Sequence, residues 1–174
     1  KKGIDILIDA LAKTDLPDDY VLAIAGPDEV GITASLKEQS LKLGVSKKIH
    51  WLGMLDKELK WGAYKHSDVF ILPSHQENFG IVVSEALSTS TPVLITNKVN
   101  LWREVLRDEA GFVQNDDVAG ISNLLRSWVE LTLEQKNAMR LNAEKCYCKN
   151  FSMSSAVDSL FDVIEDAKNH KKGM

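Results

Sequence analysis

The sequence predicts an α/β fold: a doubly wound, Rossmann-like parallel sheet with helices on both faces and extra C-terminal helices. Short apolar runs, most of them bounded by Gly or Pro, alternate with amphipathic stretches of about ten residues. This alternation indicates βαβ units, whose right-handed crossovers place helices on both faces of a parallel sheet. Roughly the last sixty residues contain no further strand candidate and are mainly helical. The length of 174 residues suits one domain with its own core.

The predicted strands are apolar runs bounded by residues that interrupt a strand. The first is stopped by Gly26-Pro27, and the second ends in Gly53. The third is broken by Pro73, whereas Pro92 stands at the start of the fourth, where a lost hydrogen-bond donor costs least. In chain order, the strand candidates are residues 20–25, 48–53, 68–72, 91–95 and 111–113.

Helices are predicted where apolar residues recur at intervals of three and four. Ile4, Leu7, Ile8 and Leu11 have this spacing, and Asp56 can cap a later helix. The helix candidates before the C-terminal part are residues 4–12, 33–43, 56–67, 80–88 and 101–107. Two further apolar faces are predicted in the C-terminal part, the first formed by Ile121, Leu124, Leu125 and Trp128 and the second by Val157, Leu160, Phe161, Ile164 and Ala167.

The charge and cysteine content exclude several classes of function. The chain has 21 Lys and Arg against 25 Asp and Glu, a net charge of -4, and therefore offers no basic field for nucleic acid. No apolar run approaches the ~18 residues that a membrane-spanning helix needs. Cys146 and Cys148 match neither a disulfide framework nor a zinc pattern, and no His, Asp and Cys cluster has metal-ligand spacing. These features predict a cytoplasmic protein with reduced cysteines and no bound metal.

A polar loop with a glycine follows the third strand and opens the next helix at the sheet edge where ligands bind. Free backbone N–H groups and the dipole at such a helix start favour an anion, above all a phosphate. Gly80 has no side chain, so that a ligand can approach the backbone closely. Glu77 precedes the helix, and Glu85 lies ~7–8 Å along its axis, which suits a sugar on one side of the phosphates and a ribose on the other. The alternative is that Glu77 only complements the helix dipole and that Glu85 is solvated.

Several segments together resemble one enzyme family. Glu77 and Glu85 match the E-x7-E motif of retaining glycosyltransferases with the GT-B fold, especially the large family-4 group. Lys2-Gly3 looks like the end of that family's R-x4-KG segment. The other matching stretches, in family order, are Ala25-Gly26-Pro27, Trp51-Leu52-Gly53, the strand from Asp68, Pro73-Ser74, Glu77-Asn78-Phe79-Gly80, Ser84-Glu85-Ala86-Leu87, Thr91-Pro92-Val93 and Gly111-Phe112-Val113. The resemblance covers nearly the whole chain and implies the C-terminal, donor-binding half of a two-domain enzyme.

The resemblance implies a role for each residue that matches the family's motifs. Glu77 would be the catalytic residue, in contact with the transferred sugar, and Glu85 would hold the ribose hydroxyls of a nucleoside-diphosphate sugar. Lys2 would bind the diphosphate. The remaining donor-binding candidates are the backbone amides around Asn78, Phe79, Gly80 and Ile81 and, beside the base, Gly53, Met54 and Leu55. The implied transfer retains the configuration of the sugar and needs no cofactor, no metal and no protein nucleophile.

The chain also departs from the family pattern. It starts at Lys1 without an initiator Met, a signal peptide or a preceding strand, as a piece cut from a larger protein would. The family's first strand, its Arg and the acceptor-binding N-terminal half are absent, so residues 1–174 are expected to be a single domain that is inactive alone. The loop at residues 97–102 lacks the Gly-Gly of many relatives, and His75 and Glu104 receive no role.

Two functions remain open at this point. The first is sugar transfer in the synthesis of a cell-surface polysaccharide or glycolipid, to a sugar or lipid-linked acceptor that the absent half would bind. The full-length protein would then be cytoplasmic, with peripheral association at the inner face of the membrane. The second is a non-catalytic module that binds a nucleotide or a nucleotide sugar. The sequence predicts neither the base nor the sugar nor the acceptor.

Overall fold

The computed structural model describes residues 1–28, 31–153, 155 and 157. The strands of this described part are β1 (Leu22–Ala25), β2 (Ile49–Gly53), β3 (Phe70–Leu72), β4 (Val93–Thr96) and β5 (Gly111–Gln114). Its helices are α1 (Ile4–Lys13), α2 (Thr33–Lys42), α3 (Lys57–His66), α4 (Ile81–Ser88), α5 (Trp102–Arg107), α6 (Val118–Val129) and α7 (Leu133–Asn150). Each element predicted between residues 4 and 113 is present, with its ends shifted by at most two residues.

The strands form two parallel ladders. β1 pairs with β2, while β4 lies between β3 and β5. Leu22 is opposite Ile49 in the first ladder, and Leu94 is opposite both Ile71 and Phe112 in the second. Among the described residues no pairing joins β1 to β3, so the five parallel strands form one two-stranded and one three-stranded ladder.

Helix α1 connects the two ladders by packing against both. Its buried Leu7 belongs to an apolar cluster that includes Leu22 of β1 and Ile71 of β3. On the same helix, buried Ile8 belongs to a second cluster, with Ile49 of β2. The spacing of apolar residues that predicted α1 therefore also explains how one helix covers the junction between the ladders.

Helices cover both faces of the ladder formed by β3, β4 and β5. Every residue of β4 is buried, and successive side chains of a strand point to opposite faces. Val93 and Ile95 pack in the cluster that contains residues of α4, α5 and α7, whereas Leu94 packs in the cluster of α1 and α6. The predicted α/β architecture of parallel strands between helical layers is thus confirmed.

Helices α6 and α7 are the extra C-terminal helices that the sequence predicted. Asp117 caps α6, and Thr132 and Gln135 form a capping box at the start of α7. Ile121 and Leu124, from the predicted apolar face of α6, are fully buried. None of the helices in the described ranges is both long enough and apolar enough to span a membrane.

The second predicted C-terminal face falls mostly beyond the described residues. Val157 is described and is 43% exposed. Leu160, Phe161, Ile164 and Ala167 lie outside the described residues.

Asp108 joins the end of α5 to the end of α7. Its carboxylate accepts two hydrogen bonds from Arg107, at 2.7 and 2.8 Å, one from Asn150 at 2.7 Å and one from Lys149 at 3.1 Å. These donors, Arg107 foremost, hold the pKa of Asp108 well below its usual range although burial opposes them. Because the native pKa is lowered, the stabilisation is fully present above the unfolded-state value of ~4 and is lost as the pH falls towards the native value.

We expect Asp108→Asn to lower the free energy of unfolding at neutral pH by about 1–3 kcal/mol, because the surrounding donors lose a charged acceptor. Urea unfolding at neutral and acid pH measures this loss, and the difference from the wild type should shrink below pH ~4. Asp68→Asn is the control: its carboxylate is 87% exposed and lies 3.7 Å from Arg140, so we expect a loss below about 0.5 kcal/mol. A deficit for Asp108→Asn that is equal at both pH values would contradict a role for the charge.

Candidate functional site

Three segments meet at the carboxyl ends of β3 and β4. They are residues 1–3, residues 73–80 after β3 and residues 97–101 after β4. The backbone N–H of His75 donates to the carbonyl of Lys1 at 3.0 Å, which holds the first residues of the chain against the loop after β3. The polar segments that the sequence analysis singled out therefore lie at one edge of the fold, where parallel strands end.

The loop after β4 fixes the backbone around Glu77. The N–H of Glu77 donates to the carbonyl of Lys98 at 3.0 Å, and the N–H of Asn100 donates to the carbonyl of Glu77 at 3.1 Å. The side-chain amide of Asn100 also donates to the carbonyl of Asn78, at 2.8 Å. The sequence of this loop lacks the Gly-Gly found in many members of the family that the chain resembles. In this structure the loop positions Glu77 through hydrogen bonds to its backbone.

Glu77 and Lys2 form an ion pair at this edge. The Nζ of Lys2 lies 2.5 Å from Oε2 of Glu77, with the lysine side chain 54% exposed and the glutamate side chain 20% exposed. The hydrogen bond from Lys2 lowers the pKa of Glu77, and the N–H of Gly80 and the charge of Lys1 add to this effect, while burial opposes it. Two residues separated by 75 positions in the sequence are thus in direct contact, with Glu77 ionised beside the start of α4.

Gly80 is the N-cap of α4 and adopts a left-handed conformation, with φ 57° and ψ 36°. A Cβ atom built at this position would lie 3.2 Å from side-chain atoms of both Val99 and Leu101. The space freed by the missing side chain is therefore filled by the loop after β4, whereas we expected from the sequence that a ligand would occupy it. Close ligand approach to the backbone of Gly80 stays a prediction. In the first turn of α4, the N–H of Val83 donates to the carbonyl of Gly80 at 2.7 Å, so the N–H groups of Ile81 and Val82 are the ones left to favour an anion.

Glu85 lies in α4, and its side chain is only 17% exposed. Lys60 of α3 donates to Oε1 at 2.7 Å, and the hydroxyl of Tyr64 donates to Oε2 at 3.2 Å. The alternative of a solvated helical residue is wrong for Glu85, because both carboxylate oxygens have protein donors. For Glu77 the alternative was that its charge only complements the dipole of the helix. This agrees with its position, because the charge lies beside the start of α4.

The segment between the two glutamates presents apolar side chains to solvent. Phe79 is 78% exposed, Ile81 is 65% exposed, and Asn78 is also exposed. Exposed apolar side chains that adjoin polar groups are a common feature of ligand-binding edges. Gly80, between these exposed residues, is buried, so the predicted amide contacts to a donor stay a prediction.

The turn at residues 53–55 lies at the end of the other ladder. Gly53 has a positive φ of 66°, and its carbonyl accepts a hydrogen bond from the N–H of Gly26 at 2.9 Å. Met54 is 73% exposed, and Leu55 is half-buried. Within the described residues, no hydrogen bond or ion pair links this turn directly to residues 77–85. The connection runs through α3, which begins immediately after the turn and carries the two partners of Glu85.

An open cavity of about 280 Å³ adjoins the ion pair of Lys2 and Glu77. Residues 1–5 form one side, and Ser35 and Leu36 from the first turn of α2 contribute to the other. Lys2 contributes to the lining of this cavity, whereas Glu77 does not. A second open cavity, of about 320 Å³, is lined by Leu16, Pro17 and their neighbours after α1, and we assign it no role.

Some polar contacts at the site were not predicted from the sequence. Nδ1 of His75 lies 3.0 Å from a carboxylate oxygen of Asp116, and Lys98 lies 4.0 Å from the other oxygen. The hydrogen bond with His75 lowers the pKa of Asp116. Lys60, Tyr64, Asn100 and Asp116 were missed because their relation to the motif residues depends on tertiary contacts. Only the order of the strands, which brings the loops after β3, β4 and β5 together, could have pointed to Asp116.

Glu104 lies in α5 and is partly buried. One side-chain oxygen of Glu104 is buried and has no hydrogen-bond partner among the described residues, and the carbonyl of Glu104 lies 3.8 Å from the thiol of Cys146. The described part of the chain contains no group of three or more His, Cys, Asp or Glu residues that could hold a metal ion.

Comparisons with known proteins place this arrangement in a family. Residues 1–146 match the family model described as glycosyl transferases group 1. An uncharacterized glycosyltransferase of Methanocaldococcus jannaschii is 31% identical over 134 residues, which cover 74% of this chain and 34% of that protein. The D-inositol 3-phosphate glycosyltransferase of Corynebacterium efficiens is 27% identical over 173 residues, which cover 95% of this chain and 40% of that protein. The chain thus spans between 34% and 40% of the length of these two relatives.

The fold is also similar to solved structures. The Anabaena protein HepE in complex with UDP-glucose has a TM-score of 0.79 and 21% identity, and the match covers 95% of this chain and 45% of that one. At this level of identity the similarity concerns the fold alone. The architecture of parallel strands flanked by helices is the Rossmann-like fold of GT-B glycosyltransferases.

Proposed function

Since the chain belongs to the glycosyl transferases group 1 family, we propose that it is the donor-binding half of a two-domain enzyme that transfers a sugar from a nucleoside diphosphate. The observation that carries the proposal is the contact between Lys2 and Glu77 at the start of α4. In this contact, the ammonium group of Lys2 can bind a diphosphate, and the carboxylate of Glu77 can bind a sugar. Both lie beside backbone N–H groups that favour a phosphate. Glu85 lies further along the same helix, at a distance that suits a ribose.

Each group has a distinct role in the proposed reaction. Departure of the nucleoside diphosphate builds negative charge on its terminal phosphate, which Lys2 and the first turn of α4 would stabilise. Positive charge develops on the sugar, and the ionised carboxylate of Glu77 would lie near it. As the bond between the sugar and the phosphate breaks, an acceptor hydroxyl would attack the sugar on the face that the phosphate leaves and would pass its proton to the departing phosphate. The configuration would thus be retained without a protein nucleophile. The donor is a substrate, and the proposal includes no cofactor and no metal.

The other half of the enzyme would bind the acceptor. The separation of β1 from β3 is consistent with an additional parallel strand between the two ladders, contributed by a longer chain. An acceptor held by a second domain would be oriented only in the complete protein, so the chain alone would be inactive. We further propose a cytoplasmic enzyme that associates peripherally with the membrane and acts in polysaccharide or glycolipid synthesis; a similar protein of Mycobacterium leprae is named phosphatidyl-myo-inositol mannosyltransferase.

A nucleotide-binding series tests the donor site. UDP, GDP, ADP and CMP are each added to the chain in a thermal-shift assay, at concentrations up to about a hundred times the dissociation constant of any nucleotide that binds. A bound nucleotide at that excess stabilises the folded state by ~2.7 kcal/mol. We expect one diphosphate to give this shift and Glu85→Ala to abolish most of it, because the ribose hydroxyls lose their acceptor.

Glu130→Ala is the matched control. Glu130 is an exposed glutamate at the C-cap of α6, a helix that returns to the opposite edge of the sheet. Its removal should leave the nucleotide shift unchanged. A chain that binds none of the four nucleotides, tested both alone and within its full-length protein, contradicts the proposed function. Binding without sugar transfer by the full-length protein would instead favour a non-catalytic nucleotide-binding module.

A further inference from the structure

The carboxylate of Glu85 is held from α3 by two donors that lie one helical turn apart. Lys60 and Tyr64 are four positions apart on α3, so both side chains project from one face of the helix. Lys60 donates to one oxygen of Glu85 at 2.7 Å, and Tyr64 donates to the other at 3.2 Å. A carboxylate bound at both oxygens cannot rotate freely, although each oxygen keeps a lone pair for a further donor.

Tyr64 is itself fixed by its surroundings. It is 8% exposed, and its ring meets the ring of Phe70 edge-on, with 5.4 Å between the ring centroids. Its carbonyl accepts a hydrogen bond from the hydroxyl of Thr91 at 2.8 Å. Burial and the charge of Glu85 raise the pKa of Tyr64 far above its ordinary value, so the phenol remains protonated and continues to donate.

Lys60 adds a charge at the border of the same cluster. Its side chain is 38% exposed, and Nζ lies 5.4 Å from the ring centroid of Trp61. The ammonium group compensates for the desolvation of Glu85, whose side chain is 17% exposed. The lysine thus holds one oxygen of a nearly buried carboxylate in place, while Tyr64 sets the direction of its second oxygen.

We propose that Lys60 and Tyr64 are positioning residues that orient Glu85 towards the two ribose hydroxyls of the bound nucleotide. The inference rests on the proposed function and adds α3 to the elements that recognise the donor. Neither residue needs to touch the ribose, because each acts through the carboxylate. The same helix starts at the turn of residues 53–55, so base and ribose recognition would be linked by one rigid element.

The test compares a ribonucleotide with its analogue that lacks both hydroxyls. The nucleoside diphosphate that the wild type binds, among UDP, GDP and ADP, is titrated calorimetrically beside its 2′,3′-dideoxy counterpart. We expect Tyr64→Phe and Lys60→Met to weaken binding of the ribonucleotide about tenfold and that of the dideoxy analogue less than about twofold. Lys60→Arg should restore at least part of the ribonucleotide affinity.

Two controls separate positioning from folding. Tyr20→Phe removes a hydroxyl that also pairs with a lysine, Lys136 at 2.7 Å, but that lies ahead of β1 and away from the site. It should alter neither affinity. In a Glu85→Gln background, Tyr64→Phe should cause no further loss of ribonucleotide affinity, because the two residues act as one unit.

The possible outcomes distinguish this inference from the proposed function. A wild type that prefers the ribonucleotide and variants that keep this preference would overturn the positioning role alone. Equal losses for both nucleotides in Tyr64→Phe and Lys60→Met would also overturn it, since they would indicate a structural effect. A wild type that binds neither form of any of the three diphosphates would overturn both the positioning role and the proposed function.

Discussion

Glu77→Gln is expected to lower kcat for sugar transfer by at least about a hundredfold in the full-length protein without weakening its binding of the diphosphate. The ionised carboxylate would stabilise positive charge that develops on the sugar only as the bond breaks. The neutral amide keeps the size of the side chain but loses that charge. Loss of the charge of Glu77 also frees Lys2 from the ion pair in which its Nζ lies 2.5 Å from Oε2 of Glu77. The affinity of the protein for the diphosphate should therefore stay the same or rise. Initial rates of donor consumption and calorimetric titration with the diphosphate measure the two effects.

Lys2→Met provides the contrast. The side chain of Lys2 is 54% exposed and the residue lines a cavity, so the ammonium group can turn towards a phosphate without breaking other described side-chain contacts. Its loss should weaken diphosphate binding by about 10–100-fold, the value of a charge-assisted hydrogen bond, and should lower transfer as well. Lys1→Met, at the neighbouring position, should have a much smaller effect on both. Equal losses of diphosphate affinity in Glu77→Gln and Lys2→Met would contradict this division of roles.

Much of the fold could be predicted because its signals are local. The Pro and Gly residues that ended the first three predicted strands, such as Pro73 and Gly53, also mark the ends of β1, β2 and β3 in the structure. Asp56 was identified as a cap from its position alone, and its side chain accepts the N–H of Leu59 at 2.9 Å. The fourth strand, predicted over residues 91–95, is β4 (Val93–Thr96), and the flanking helices likewise lie within two residues of bounds predicted from patterns of about ten residues.

The contacts that shape the site could not be predicted in this way. The pairs of Lys2 with Glu77 and of Lys60 with Glu85 join residues 75 and 25 positions apart. The resemblance predicted separate roles for Lys2 and Glu77, but periodicity contains no information on whether their side chains meet. The requirement for glycine at position 80 likewise depends on Val99 and Leu101, which reach it from another loop. Such information is in the tertiary packing, and a local pattern cannot supply it.

Gly3 shows how closely the start of the chain is fitted to the site. It has a φ of 67°, and an added Cβ would lie 2.0 Å from the carbonyl oxygen of Pro73. The hydrogen bond between Lys1 and His75 runs beside this contact. A side chain at position 3 would therefore have to displace the segment that carries Lys2, in addition to adopting a conformation that costs ~1–2 kcal/mol for an L-residue.

A series of three glycine substitutions separates these two costs. Gly62→Ala in α3 has an ordinary φ and open space around the new Cβ, so it should raise the free energy of unfolding by about 0.5–1 kcal/mol. Gly44→Ala also has open space around the new Cβ, but position 44 has a φ of 75°. This substitution should therefore lower the free energy of unfolding by ~1 kcal/mol. Gly3→Ala combines a positive φ with the overlap and should lower it by roughly 2–4 kcal/mol. Of the three, Gly3→Ala alone should also weaken diphosphate binding by at least as much as Lys2→Met, because Lys2 is displaced. Urea unfolding measures the change in stability, and calorimetric titration measures diphosphate binding. A loss of stability in Gly3→Ala no larger than in Gly44→Ala would contradict the close fit of Gly3 against Pro73.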